Sequence, residues 1–184
     1  MSIEKKKICY ILPKYDAHTD THFSYQYDLL NNVSDDVDIF LIIEKCVGEP
    51  NFKGVSRVVV KSEGGNAFSK LIKGIQFASR AYKEGYTDFY VHYSFTGALS
   101  ALFVTRGNRG RVFYWNCGMP WLYKRPFVQE TIFKFILRKV YLVTGTESLK
   151  DSYIKEYGLD PAKPKVLHNW IHLEVFNNNS TSEE

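Results

Sequence analysis

Long hydrophobic runs are missing from this chain: no apolar stretch in its 184 residues approaches the roughly 18 to 20 needed to cross a bilayer as a helix. The opening residues MSIEKKKICYILP also lack the small-residue cleavage site of a secretory signal, so a cytoplasmic location is expected. Cysteine is scarce. Cys9, Cys46 and Cys117 are odd in number and far apart, without the paired spacing of a zinc site or the even count of a disulfide framework; reduced thiols are expected. A large excess of either charge is missing as well, with 24 Lys and Arg against 20 Asp and Glu. A net charge of +4 is too weak by itself to argue for nucleic acid, and no RNA- or DNA-binding motif accompanies it. Glycine is missing where a dinucleotide domain most needs it. Only Gly lets backbone approach a pyrophosphate closely after the first strand, and that turn reads PKYDAHTDTH. No Walker lysine pattern occurs either, so no cofactor is expected.

What remains is ordinary globular material: 45% hydrophobic and 24% charged residues, with aromatics rich at 16%. The length suits one large domain. KICYILP, VDIFLII, SRVVVK, TDFYVHYS, GRVFYWNCG, VYLVTG and PKVLHN read as strands, several of them continuous apolar runs of the kind covered on both faces. Between them THFSYQYDLLNNV, NAFSKLIKGIQFASRAYKEGY, TGALSALFVTRG, RPFVQETIFKFILRK and TESLKDSYIKEYG carry helical spacing. Thr21 or Asp20, Asn66 and Thr146 are caps, and Gly85 and Gly158 are stops. Alternating strands and helices with right-handed crossovers imply an α/β domain: a doubly wound, mostly parallel, Rossmann-like sheet with helices on both faces. In such sheets ligands sit at the carboxyl ends of the strands.

Four places there carry chemistry. In the first loop Asp16, His18, Asp20 and His22 alternate, but the spacing fits no familiar metal signature and no metal is expected. Tyr15, Asp16, His18, Thr19 and Asp20 read instead as a loop that hydrogen-bonds a hydroxyl-rich ligand; the plainer reading is a solvated loop with a helix cap. His92, Tyr93 and Ser94 end a central strand, where a side chain can serve as acid, base or hydrogen-bond partner. Alternation points His92 and Tyr93 to opposite faces, so one of the two faces a cleft, and a core histidine is the competing reading. YWNCGMPW ends another strand with Asn116, Gly118 and Trp121, amide and aromatic groups suited to a sugar or to an ordinary turn. Finally, WLYKRPFVQETIFKFILRKV sets Lys124, Arg125, Lys134, Arg138 and Lys139 among phenylalanines. Such a helix can lie on an anionic membrane surface or be a core helix with snorkelling cations.

LVTGTESLKDSYIKEYGLDPAKPKVLHNWIHLEVF resembles, nearly position for position, the end of the N-terminal domain in retaining glycosyltransferases of the GT-B fold. A strand leads to a Ser or Thr and an acid capping a helix, here Thr146 and Glu147. The helix ends in Tyr157 and Gly158, and a Pro-containing turn, a strand and the turn Asn169, Trp170, Ile171, His172 follow, with a later Phe176. Trp170 stands where the family has Gly, and His172 where it has Asp. DFYVHYSFTGALSA is similar to the family's central strand, whose His lies near the reacting sugar; one register puts Tyr93 there and another His92. Asn116 stands where that family often has His. The resemblance implies that residues 1–172 are an acceptor-binding domain and 173–184 the start of an interdomain linker. It also implies a nucleotide-sugar donor held by a C-terminal domain outside this sequence, a glycan or lipid-linked acceptor, and transfer with retention. The chain alone is then inactive, and about 170 further residues are expected to follow in the gene. A stand-alone ligand- or protein-binding module is the alternative.

Overall fold

The computed structural model describes residues 5–18, 24–61, 64, 66–106 and 110–168. In chain order the elements are β1 (Lys6–Leu12), β2 (Tyr15–Asp16), α1 (Ser24–Val33), β3 (Val37–Ile43), β4 (Cys46–Val47), β5 (Arg57–Val60), α2 (Ala67–Lys83) and β6 (Asp88–His92). There follow α3 (Phe95–Thr105), β7 (Val112–Trp115), a short 3-10 turn (Pro120–Leu122), α4 (Phe127–Lys139), β8 (Tyr141–Thr144), α5 (Glu147–Tyr157) and β9 (Lys165–Val166). From Cys9 in β1 and Ile39 in β3 onward every residue of those two strands is buried, which is why they read as unbroken apolar runs.

Seven strands form one sheet in the order β5, β3, β1, β6, β7, β8, β9, and every pairing is parallel. Helix α1 covers one face through Leu30 and Tyr27, packed on Tyr10, Leu12, Ile39, Leu41 and Ile43. Helices α2 to α5 cover the other, where Ala78, Ala98, Ile136 and Tyr153 meet Ile11, Phe40, Phe89, Val91 and Tyr114. The doubly wound fold class read from the sequence is the one observed. The polar loop after β1 adds something the sequence did not announce: Tyr15–Asp16 pairs with Cys46–Val47 as a separate parallel pair. The last strand is shorter than PKVLHN, at two residues.

Local chemistry fixes the helix ends. Asn66, Ser94 and Thr146 accept backbone N–H bonds from Ser69, Gly97 and Leu149, satisfying donors that helix starts leave open. Gly158 ends α5 at φ 59°, the left-handed conformation that other residues adopt only at a cost. Helices α2 and α3 approach closely at Gly74, where a Cβ would collide with the Ser100 hydroxyl.

Candidate functional site

Chain direction across the sheet reverses between β1 and β6, since β1 leads outward to β3 and β5 while β6 leads to β7, β8 and β9. The carboxyl ends on either side of such a switch point splay apart and leave a crevice. Here it is a cleft of about 660 Å³. Pro13 and Lys14 follow β1, Glu44 and Lys45 follow β3, Lys61 follows β5, and Tyr93 and Ser94 follow β6. Phe95 and Thr96, at the amino end of α3, and Lys70 and Lys73, in α2, complete the wall.

Glu44 organises this cleft. Lys61 Nζ lies 3.0 Å from its Oε1, Thr96 Oγ1 donates to the same oxygen at 3.1 Å, and Ser94 Oγ donates to Oε2 at 2.5 Å. Ser94 in turn accepts the Gly97 N–H at 2.8 Å, capping α3. One carboxylate thus ties the ends of β3, β5 and β6 to the start of α3. Lys61 is 5% exposed, and an ammonium so deep in a protein is tolerable only with a partner of this kind.

His92 ends β6, and Tyr93, past the strand and at positive φ, sets its ring edge-on to the His92 ring at 4.8 Å, not on the opposite face that strand alternation predicts. His92 is 3% exposed, with its ring Nε2 2.5 Å from the Gln26 side-chain nitrogen and Nδ1 3.4 Å from the Tyr10 hydroxyl. Trp115 stacks on it at 5.7 Å. Tyr93 is 37% exposed and lines the cleft. Its φ of 53° makes it the non-glycine residue with positive φ among those described; the Ser94 N–H closes a tight turn back to the His92 carbonyl at 2.6 Å. Bulky residues adopt this conformation only when the surroundings impose it.

The remaining sequence-predicted residues that are described follow β1, β7 and β8 and lie outside the residues that line this cleft. Tyr15 is buried against Tyr27 and Phe52. Asp16 pairs with Lys14 and accepts the His18 N–H, which holds its carboxyl below its ordinary range, the lysine hydrogen bond contributing most. Thr19 and Asp20 lie outside the described residues, as do His22, Thr21 and the positions 169–184 that carry Asn169, Trp170, His172 and Phe176. Asn116 accepts the Gly118 N–H and donates to the Tyr114 hydroxyl; burial pushes that phenol up to about 12. The Gly118 carbonyl receives the Tyr153 hydroxyl at 3.0 Å. Trp121 meets Tyr153 edge-on, its ring centre 5.1 Å away, and packs on the core. Thr146 caps α5, and Glu147 pairs with Lys150. Cys117, beside Tyr93, has its thiol pushed up by burial and is neutral at ordinary pH.

Sequence reading passed over Glu44, Lys45, Lys61, Lys70 and Lys73. For the first three a signal exists: each stands just past an apolar strand run, where charged residues meet the carboxyl-end crevice. Lys70 and Lys73 carry none, because a solvated helix face has the same letters.

No known protein family matches the chain, and no curated protein does. Solved structures are similar. The UDP-N-acetylglucosamine 2-epimerase of Rickettsia bellii superposes with a TM-score of 0.63 at 13% identity, over 98% of this chain and 50% of that one. Anabaena HepE, solved in complex with UDP and glucose, gives 0.59 at 12%, over 93% and 46%. A sucrose-phosphate synthase segment from Thermosynechococcus elongatus gives 0.60 at 11%, over 95% of each. The chain spans about half the length of the epimerase and of HepE. At such identities the likeness shows the fold, a Rossmann-like domain forming one half of a GT-B fold.

Proposed function

We propose that this chain is the acceptor-binding half of a glycosyltransferase that moves a sugar from a nucleotide-sugar donor to a glycan or lipid-linked acceptor with retention. Residues 1–172 form its N-terminal domain, 173–184 begin the linker, and a C-terminal domain holds the donor. The observation that carries this reading is the cleft at the switch point. Hydroxyls, a carboxylate and the Tyr93 and Phe95 rings converge there, the groups that bind sugar hydroxyls and apolar sugar faces, while the turn after β1 lacks the glycines that would admit a diphosphate.

In this reading Tyr93 touches the acceptor and His92 is a positioning residue behind it, their rings edge to face at 4.8 Å. Catalysis is then chiefly orientation of an acceptor hydroxyl toward a donor whose charge the second domain stabilises. Exposed Leu122, Tyr123, Phe127 and Val128, close in sequence to Lys124 and Arg125, favour a lipid-linked acceptor met at a membrane surface. A second reading, half of a nucleotide-sugar epimerase, draws on the likeness to the Rickettsia enzyme.

A panel of nucleotide-sugars offered to the chain alone tests the division of labour. No nucleoside diphosphate release is expected; steady turnover would overturn it. In the encoding gene, about 170 further residues with a second α/β pattern and a pair of glutamates are expected. Joined to them, the chain should transfer sugar to an added acceptor, whereas interconversion of UDP-sugars without acceptor would favour the epimerase.

A further inference from the structure

A second cavity, of about 690 Å³, opens at the amino ends of β7 and β8, the end of the sheet opposite the cleft. It is a groove between two helices. Leu99, Leu102 and Phe103 of α3 line one side, Phe135 of α4 lines the other, and Val112 and Tyr141 at the strand starts complete it. Phe103 is 61% exposed and Phe135 51%, so the fold leaves two large rings uncovered side by side. Exposed Val128 stands seven residues before Phe135 and therefore on the same side of α4, which extends the uncovered apolar row along the helix.

Every charged group lining the groove is a cation: Arg106 at the end of α3, Lys139 at the end of α4 and Arg111 just before β7. Asp88 meets Arg111. Among the described residues neither Arg106 nor Lys139 forms an ion pair. The undescribed residues that join α3 to β7 are Gly107, Asn108 and Arg109, which add a cation and no acid. Cations at helix carboxyl ends suit the helix dipole, so alone they point to no ligand. The dipole does not explain the uncovered rings between them. The volume falls in the range of roughly 300–1,000 Å³ usual for small-molecule sites, and the chemistry narrows the occupant. A peptide brings backbone N–H groups that need acceptors, and no carboxylate or amide side chain lines the groove to receive them. An acyl chain brings no such group, and an anionic head on it meets the cations at the rim.

We propose that the groove between α3 and α4 binds an anionic phospholipid of a membrane surface. An acyl chain lies between Phe103 and Phe135, and Arg106 and Lys139 take the headgroup phosphate. The row from Phe135 to Val128 then rests on the bilayer, with the cationic side chains reaching along it toward the headgroups. This site stands apart from the cleft at the switch point and does not rest on the acceptor reading.

The test is calorimetric titration of the chain with dioctanoylphosphatidylglycerol below its micelle concentration, with dioctanoylphosphatidylcholine as the zwitterionic comparison. Saturable binding at one site per chain is expected, at least about tenfold tighter for the glycerol lipid. Arg106→Ala/Lys139→Ala should lose most of that preference. Phe103→Ser/Phe135→Ser, at exposed positions, should lose binding of both lipids while unfolding close to the parent temperature. Phe127→Asp, at the far end of α4, should bind both lipids as the parent does. Equal affinity for the two lipids would overturn the anionic ligand. Unchanged binding by the Phe103→Ser/Phe135→Ser variant, or no saturable binding by the parent, would overturn the groove as the site. A parent that sediments as a dimer, with that variant monomeric, would overturn it in favour of a second copy of this chain. None of these outcomes touches the acceptor reading, whose residues lie at the other end of the strands.

Discussion

Glu44 shows how much one residue can organise. It joins three strand ends through Lys61, Ser94 and Thr96, and removing it strands Lys61, at 5% exposure, without its counter-charge. Glu44→Ala should therefore cost about 3 kcal/mol in urea unfolding, whereas Lys45→Ala, at an exposed position of the same cleft, should stay within about 0.5 kcal/mol of the parent. Tyr93 presents the opposite case, a residue held in a conformation that local stability disfavours. Strain of this kind tends to persist where a side chain is needed in one place. Replacement by glycine, which adopts positive φ freely, should leave stability within about 1 kcal/mol while abolishing sugar binding, a split that unfolding and titration of Tyr93→Gly would reveal. Strand alternation would set His92 and Tyr93 on opposite faces, but Tyr93 stands past β6 at positive φ with its ring against that of His92; which one meets the cleft depends on Gln26 and Tyr10 lying behind the strand.

At the scale of elements, the most legible features were those written in neighbouring residues. The caps Asn66 and Thr146 and the stop Gly158 act within one helical turn of their own position, so the letters alone reveal them. Thr146→Ala should cost about 1 kcal/mol of stability, measured by thermal unfolding. Features that join distant segments were not legible. The β2 and β4 pairing and the Glu44 to Lys61 bridge each unite residues that only the fold brings together. The same holds for Asp88, at the start of β6, and Arg111, just before β7. Arg111 hydrogen-bonds the carboxylate and holds its pKa below the ordinary value, so the stabilisation is present above the unfolded pKa of about 4 and is lost as pH falls below it. Asp88→Asn should thus destabilise by about 1 kcal/mol at neutral pH, and the gap to the parent should narrow progressively in acid titrations as pH falls below about 4. On α4, exposed Phe127 and Val128 lead to a further expectation. The chain should float with anionic vesicles and not with neutral ones, and Phe127→Asp should weaken that flotation several-fold.

For the whole molecule, the alternation of buried strands with capped helices was enough to read the doubly wound sheet, because a parallel sheet covered on both faces leaves unbroken apolar runs. That topology places a crevice beside β1 and β6 whatever the protein binds. The lysines and the glutamate around it come from separate segments and follow no periodicity, which is why the sequence pointed to the loops and missed the charge. In the proposed role this domain recognises acceptor and leaves the donor to a partner domain. Nuclear magnetic resonance of the labelled chain tests it most directly, with Tyr93 and Ser94 as reporters. Acceptor sugars should shift these resonances in a saturable way while UDP-sugars at equal concentration leave them in place. Saturable shifts produced by UDP-sugars, with acceptors inert, would overturn that role.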